Sequence, residues 1–540
     1  MDTYKQKVIQ HLGIVAGICN EIELIKSIDA EIEKPKRKVT VGQAVQSIIL
    51  NALGFSGRAM YLHPDYYRKR PVDLLVGEGI EPEDLNEDCL GSALDALYDY
   101  GVTELFYKVA SRGLATYGIE HRFVHLDTTS FSLHGKYDKN DDSDTEVVSI
   151  TKGFSKDGRQ DLNQVVASMM CAYRSSIPVW IEVLSGNSND KQSFRQTIKK
   201  FREQFQGKSL PCFVADSALY TAEGLKELSE IKWVTRVPET IREAKEAIAA
   251  SDKEKMQDAG LQGYRFRETS SQYAGIRQRW LIVYSQQAYE REYKTLAKTI
   301  RRENELQGKE LWHLGNKPFA CEADALKAVV RFDKKLRYHR DQYTTRVKNS
   351  YGKNGRPESS QVPVGQEWYI EGSLVIDPAA VGEAQGRKGF FIIATNEMDT
   401  ATMTSHQLLD VYKAQNVSVE RGFRFLKDPM FYAESLYLKL PKRIMALIMV
   451  MTLSLLVYSL AERKLRKVMA LEGLTIGDQK RRPTKSPTIR WVFQKFEDVL
   501  ILYVFESDRL KLIQCELTRD QETVIRCLGE HAEKMYFLGQ

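Results

Sequence analysis

"RFVHLDTTSF" (residues 122–131) sets three strand-forming residues, Phe123, Val124 and Leu126, ahead of a carboxylate, Asp127, and two threonines. The apolar run reads as a strand entering a core, with the acid where that strand surfaces. A lone acid there has an ordinary use, accepting hydrogen bonds from the backbone N–H groups of its own loop. A catalytic use requires further acids delivered to the same place. "PCFVADSALYT" (211–221) repeats the grammar: Cys212 to Ala215 lead into Asp216, followed by Ser217 and a helical pattern. Ligands collect at the carboxyl ends of strands in α/β sheets, so these two acids are placed to converge.

A third acid lies in "DVYKAQNVSVERGFRFLKDP" (410–429). The pattern predicts a helix from about Ser405 to Lys427, ended by Pro429. At 3.6 residues per turn, Tyr412, Val419, Phe423, Leu426 and Met430 share an apolar face, and Lys413, Asn416, Glu420, Arg424 and Lys427 a polar one. Glu420 is thus a single acid in a basic stripe. The plainer alternative is an exposed helix in which Glu420 pairs with Arg424 at i, i+4. Three acids on separate elements suit a hard cation. Mg²⁺ takes one or two carboxylates and leaves its other positions to water and phosphate oxygens. Two such ions promote in-line phosphoryl transfer, while the surrounding Lys and Arg hold the strand's phosphates.

Around these segments, 540 residues imply two to four domains. A content of 43% hydrophobic and 28% charged residues is that of a globular protein rather than a disordered one. The net charge of +6 says little, but its distribution says more. Between Lys439 and Arg490, twelve Lys/Arg face only Glu462, Glu472 and Asp478, whereas residues 71–100 hold nine acids and no Lys or Arg. A basic C-terminal third suits a polyanion. Seven cysteines, widely spaced and without a C-x-x-C pair, argue for a reducing, cytoplasmic compartment and against structural zinc. "MDTYKQKVIQHLG" at the start lacks the shape of a signal peptide. The uncharged run 444–460, "IMALIMVMTLSLLVYSL", is at the short limit for a membrane span. A helix buried on all sides is the expectation, with no membrane partner.

Along the chain, residues 1–120 read as a helical domain for DNA-end binding or assembly, with "KPKRK" (34–38) as a weak basic run. Residues 121–240 alternate strands and helices as the first part of a catalytic core. Residues 241–388 are an inserted, partly β subdomain containing the turn-rich loop "GKNGRPESSQVPVG"; 389–465 complete the core, and 466–540 form a basic C-terminal region. Trp233, Trp280 and Trp312 are aromatic candidates for holding a flipped base, with core packing the expected role for each.

At "HLDTTSF", "VADSALYT" with "KWVTRVPE", and "GFFIIATNEMD" with "VERGFRFLKDP", the sequence resembles insertion-sequence transposases of the DDE class. "PVWIEVLSGNSNDKQSF" resembles the family's stretch between the first two acids, and the likeness spans roughly residues 120–465. The branch it resembles has an RNase H-like core with a large insertion between the second Asp and the Glu. The family's helix motif is Tyr-x2-Arg-x3-Glu-x6-Lys. Glu420 and Lys427 keep the last step and Tyr412 the first, but Gln415 replaces Arg and Glu420 lies one residue further along. That offset leaves Glu434 as a remote rival. The resemblance implies a mixed α/β fold and metal catalysis by Asp127, Asp216 and Glu420 with two Mg²⁺, or Mn²⁺ in their place. It implies cleavage of double-stranded DNA at inverted-repeat ends, joining to target DNA, and a homodimer assembled on that DNA. Lys413, Arg424 and Lys427, with Lys480, Arg481 and Arg482 in "DQKRRPTKSPTIR", are the candidate phosphate contacts. The alternatives are an RNase H-like endonuclease without strand transfer, a non-enzymatic DNA-binding descendant, and a membrane protein built on 444–460.

Overall fold

The β-branched and aromatic runs either side of Asp127 belong to an interior strand of a large sheet. The computed structural model describes residues 4–32, 37–55, 60–134, 137, 147–155, 158–205, 209–351, 362–428, 438–506, 509–514 and 516–537. Lys34–Lys36 of the basic run, most of the 352–365 loop, Pro429, Met430 and the rival Glu434 lie outside the described residues. The chain divides into two compact units. The first comprises 1–235, 272–278 and 395–540; the second comprises 236–271 and 279–394.

In the first unit five strands lie in the order Pro178–Ser185, Asn163–Ala172, Phe123–Leu133, Cys212–Ala215, Trp233–Val237. The first two neighbours of this row pair antiparallel, and Cys212–Ala215 pairs parallel with Phe123–Leu133 and with Trp233–Val237. The fold is therefore mixed α/β with a mixed sheet, flanked by helical N- and C-terminal regions. The opening strand does not stop at Asp127, as the sequence suggested, but runs on to Leu133. Thr128, Thr129 and Ser130 are compatible with a strand and keep pairing with Ser168, Ala167 and Val166 on the antiparallel side. What ends at Asp127 is the parallel side, whose last register pair is Leu126 with Ala215.

The N-terminal region is helical, as its periodicity predicts. Helix Val41–Leu53 opens on a capping box in which Thr40 and Gln43 satisfy each other's backbone N–H. Helices Glu87–Tyr100 and Val102–Thr116 meet at Gly101, whose φ of 112° only glycine adopts easily. The uncharged run 444–460 lies inside one 32-residue helix, Pro441–Glu472. That helix is long and apolar enough to cross a membrane, but its most apolar window is 94% buried within the protein, so it is a core element. Gly113 of the N-terminal region approaches it closely, with room for a methyl only 3.4 Å from Leu460 Cδ1.

The C-terminal segment returns to the start of the chain. Strand Leu500–Glu506 pairs antiparallel with Tyr4–Val8, and Tyr536 donates a 2.5 Å hydrogen bond to the Gln10 carbonyl. Among the described residues the cysteines are all free. In the second unit, strands Phe390–Thr395, Ile276–Ser285, Tyr264–Tyr273 and Gln257–Asp258 lie in that order. Helix Gln286–Gly315 packs near a twelve-residue ribbon, His339–Ser350 with Gly365–Ile376. Trp233 and Trp280 are core residues as expected; Trp312 is not, being 66% exposed on the surface of that helix.

Candidate active site

Side chains alternate along Phe123–Leu133, so His125, Asp127, Thr129 and Phe131 share one face. On that face His125 is fully buried beneath helix Ser405–Lys413, its Nε2 2.8 Å from the Val411 carbonyl. Burial pushes the imidazole down to about 4. Two residues on, Asp127 is half-buried, and its Oδ1 accepts the Thr128 N–H at 2.7 Å. The local bond that a merely structural acid would make is thus present.

Asp216 is the first residue beyond Cys212–Ala215, and the parallel register carries it to the position beside Asp127. Neighbouring strands are about 4.8 Å apart, so the two backbones meet side by side. The Asp216 loop is fixed by its own groups: Oδ1 accepts the Ala218 N–H at 2.9 Å, and the Asp216 carbonyl accepts the Thr235 hydroxyl at 2.6 Å. These bonds set the turn where the strand gives way to the helix Ala222–Glu227.

The continuous helix expected from Ser405 to Lys427 is broken. Ser405–Lys413 passes into a 3₁₀ turn, Ala414–Val417, and Ser418 leaves helical geometry at φ −97°, ψ −98°. A separate eight-residue helix, Val419–Leu426, then begins. The β-branched Val417 and Val419 on either side of Ser418 are poor helix formers, and the break resets the helical phase. Even so, the two faces keep their character: Val419, Phe423 and Leu426 are buried, and Asn416, Glu420 and Arg424 are exposed. Gly422 allows the short helix to lie against the sheet. A methyl there would stand 2.9 Å from Met169 Cε and 3.1 Å from Leu455 Cδ2. Met169 is the cross-strand partner of Asp127, so the helix bearing Glu420 passes over the Asp127 face of the sheet.

Glu420 makes no ion pair with Arg424; among the described residues each is without a hydrogen-bonded or charged partner. The cation that does pair is the neighbouring Arg421, at 2.6 Å from Glu462. The sequence counted Glu462 only as one of three acids in the basic stretch and gave Arg421 no role. Among the described residues no three His, Cys, Asp or Glu side chains converge into a ready metal cage. The structure brings Asp127 and Asp216 together and sets the Glu420 helix over the same face.

Of the other candidates, Lys427 sits at the end of that helix with Nζ 5.9 Å from the Phe131 ring, and Lys413 closes the preceding helix. The basic stretch 439–490 is in part internally compensated. Arg443 and Lys442 pair with Asp95 of the acidic N-terminal stretch, Lys464 with Glu21, Arg466 with Glu462, and Arg490 with Asp428. Lys480, Arg481 and Arg482 differ. They are exposed at the tip of a small hairpin, Ile476–Gly477 with Pro483–Thr484, and make no ion pair among the described residues. Asp478 shapes the tip by accepting the N–H groups of Lys480 at 2.8 Å and Arg482 at 2.7 Å.

Residues 119–457 match the family described as the transposase DDE domain, more than half of the chain. The chain belongs to the DDE transposase family. It is therefore an enzyme that cuts and transfers DNA. Residues 4–111 of this transposase match a domain of unknown function, DUF4277. Among solved structures, a piggyBac transposase in a synaptic complex with hairpin DNA, determined by cryo-EM, aligns over 90% of this transposase and 79% of that chain. The likeness is distant, at 8% identity and a TM-score of 0.35. No curated protein matches the sequence.

Proposed function

We propose that Asp127, Asp216 and Glu420 hold two Mg²⁺ ions, with Mn²⁺ able to substitute. The enzyme then cleaves strands at the inverted-repeat ends of an element and joins them to target DNA. One observation carries this reading: two aspartates stand side by side where the parallel strand pairing stops, beneath a helix that bears an exposed glutamate with no ion pair among the described residues. The donor set fits the ions. All the ligands are hard carboxylate oxygens, and Glu420 is exposed and makes no ion pair among the described residues. Bound there, the ions supply Lewis acidity to the attacking water or 3′-OH and to the leaving oxygen of an in-line transfer.

The protein's own groups do the rest. Lys413, Arg424 and Lys427 lie on the Glu420 side of the sheet and are assigned to the scissile strand's phosphates. Lys480, Arg481 and Arg482 hold the duplex further away. The helical region 1–120 serves end recognition or assembly, the active assembly is a homodimer on DNA, and the compartment is the cytoplasm.

The test is conservative removal of ligand charge. Asp127→Asn, Asp216→Asn and Glu420→Gln are each expected to lower strand cleavage by several orders of magnitude while leaving binding to a repeat-end duplex intact. Full cleavage by the Glu420→Gln enzyme would remove Glu420 from the site. A strand-transfer assay on pre-nicked ends separates a transposase from a nuclease that only hydrolyses.

A further inference from the structure

Glu462 is 5% exposed in the long core helix, where an uncompensated carboxylate is costly. Three groups from three elements compensate it. Arg421 Nη2 of the Glu420 helix lies 2.6 Å from Oε1, Arg466 Nη1 one turn along the core helix lies 3.0 Å from Oε1, and the Ile489 N–H donates to Oε2 at 3.1 Å. That last N–H opens helix Ile489–Gln494, which follows the basic hairpin. Other contacts run in parallel. Arg466 Nε donates to the Pro487 carbonyl at 2.8 Å, and Arg490 pairs at 2.8 Å with Asp428, just beyond the Glu420 helix. Tyr458, one turn before Glu462, packs 4.4 Å from the Phe425 ring and 6.0 Å from Phe493.

The Glu420 helix needs such anchors. It has eight residues, and the break at Ser418 uncouples its rotation from the helix before it. Its apolar face fixes depth against the sheet, but apolar packing is non-directional and tolerates rotation and sliding. A guanidinium–carboxylate contact is directional, and here Arg421 Nη2 takes Oε1 while the Ile489 N–H holds Oε2 in place. Arg421 is adjacent to Glu420, so the azimuth of one side chain fixes that of the other.

We propose that Glu462 is a positioning residue for the reaction: through Arg421 it sets the rotation of helix Val419–Leu426 and so aims Glu420 at Asp127 and Asp216. The inference rests on Glu420 being the third metal ligand. Glu462 touches no reacting atom, and its effect passes through a helix it does not belong to.

The test uses full-length enzyme and four variants: Glu462→Gln, Arg421→Met, Arg421→Lys and Glu420→Gln. Mn²⁺ affinity is followed by electron paramagnetic resonance, with cleavage against Mn²⁺ concentration, repeat-end affinity and melting temperature measured on the same samples. Glu462→Gln and Arg421→Met are each expected to weaken Mn²⁺ binding and cleavage about 10–100-fold, the range for groups that orient metal ligands. DNA affinity should stay unchanged. Arg421→Lys, which keeps the charge but loses the planar, directional guanidinium, should fall between. In the Glu420→Gln background, Glu462→Gln should weaken Mn²⁺ binding no further, because its effect acts through Glu420. Additive weakening there, or wild-type Mn²⁺ affinity in Glu462→Gln and Arg421→Met alike, would overturn the inference. Should Glu462→Gln fail to fold, the partly exposed Arg421 carries the same comparison. A Glu420→Gln enzyme with wild-type Mn²⁺ affinity would instead overturn the metal-site reading on which the inference stands.

Discussion

His125 shares a strand face with Asp127, and its burial has a consequence for stability. Its imidazole, like those of His11 and His63, is pushed down to about 4 by desolvation. An unfolded histidine takes up a proton near pH 6.5. Between about 6.5 and 4 the unfolded chain therefore binds protons that the folded chain refuses, and stability falls as pH falls through that window. Above 6.5 these residues add no pH dependence. Each should remove roughly 1.4 kcal/mol per pH unit inside the window. Asp341 of the second unit, pushed up to about 6 by burial and Asp333, has the opposite sign there, but it is one group against three. Melting temperature should thus be level from pH 8 to 7 and drop steadily from 6.5 to 5, and His125→Asn should flatten part of that slope. A level profile to pH 5 would refute neutral burial. The two aspartates were legible in the sequence because a polar residue closing an apolar run is conspicuous. Glu462 was not, since its value lies in partners drawn from positions 421, 466 and 489 that no local pattern links.

The hairpin Ile476–Thr484 is the element on which phosphate binding is most cleanly tested. Its three consecutive cations are exposed and make no ion pair among the described residues, and the turn is set by Asp478 rather than by their side chains. Neutralising Lys480, Arg481 and Arg482 with Gln should leave melting temperature unchanged and weaken binding to all DNA sequences. Each lost contact should reduce the magnitude of the slope of log K against log salt by about 0.9. An unchanged slope would make the hairpin a solvated tip. Arg481 sits at φ 59°, so Arg481→Asn suits the backbone while Arg481→Val adds strain. The apolar run Cys212–Ala215 located its strand to the residue, because turn residues bound it, whereas the strand entered at Phe123 ran six residues past Asp127 on threonines and serine that pattern reading takes for a loop. Periodicity did not reveal the break at Ser418, because buried positions continue on either side of it.

At the scale of the whole molecule, the charge separation read from the sequence proves partly self-complementary. Acids of the N-terminal region neutralise cations of the core helix, as Asp95 does for Lys442 and Arg443. Long-range pairing of this kind is invisible to a count along the chain. It also changes what deletion reports. Removing residues 1–120 would uncover the Leu456 and Leu460 flank of the core helix, so loss of end binding in such a truncation would reflect unfolding. A smaller cut is more informative. Deleting residues 1–8 removes the strand that pairs Tyr4–Val8 with Leu500–Glu506. It should lower the melting temperature by at least about 2–4 °C, the shift that ~1 kcal/mol produces in domains of about 150–250 residues. An unshifted transition would show the strand to be dispensable. The same closure of the two ends governs biosynthesis. Strand Tyr4–Val8 leaves the ribosome long before its partner exists, so the N-terminal region waits, incompletely sealed, until translation has passed Leu500–Glu506. A polypeptide cut short by a stop codon or frameshift lacks that seal and should be handed to proteases rather than linger as a competitor for the element's ends.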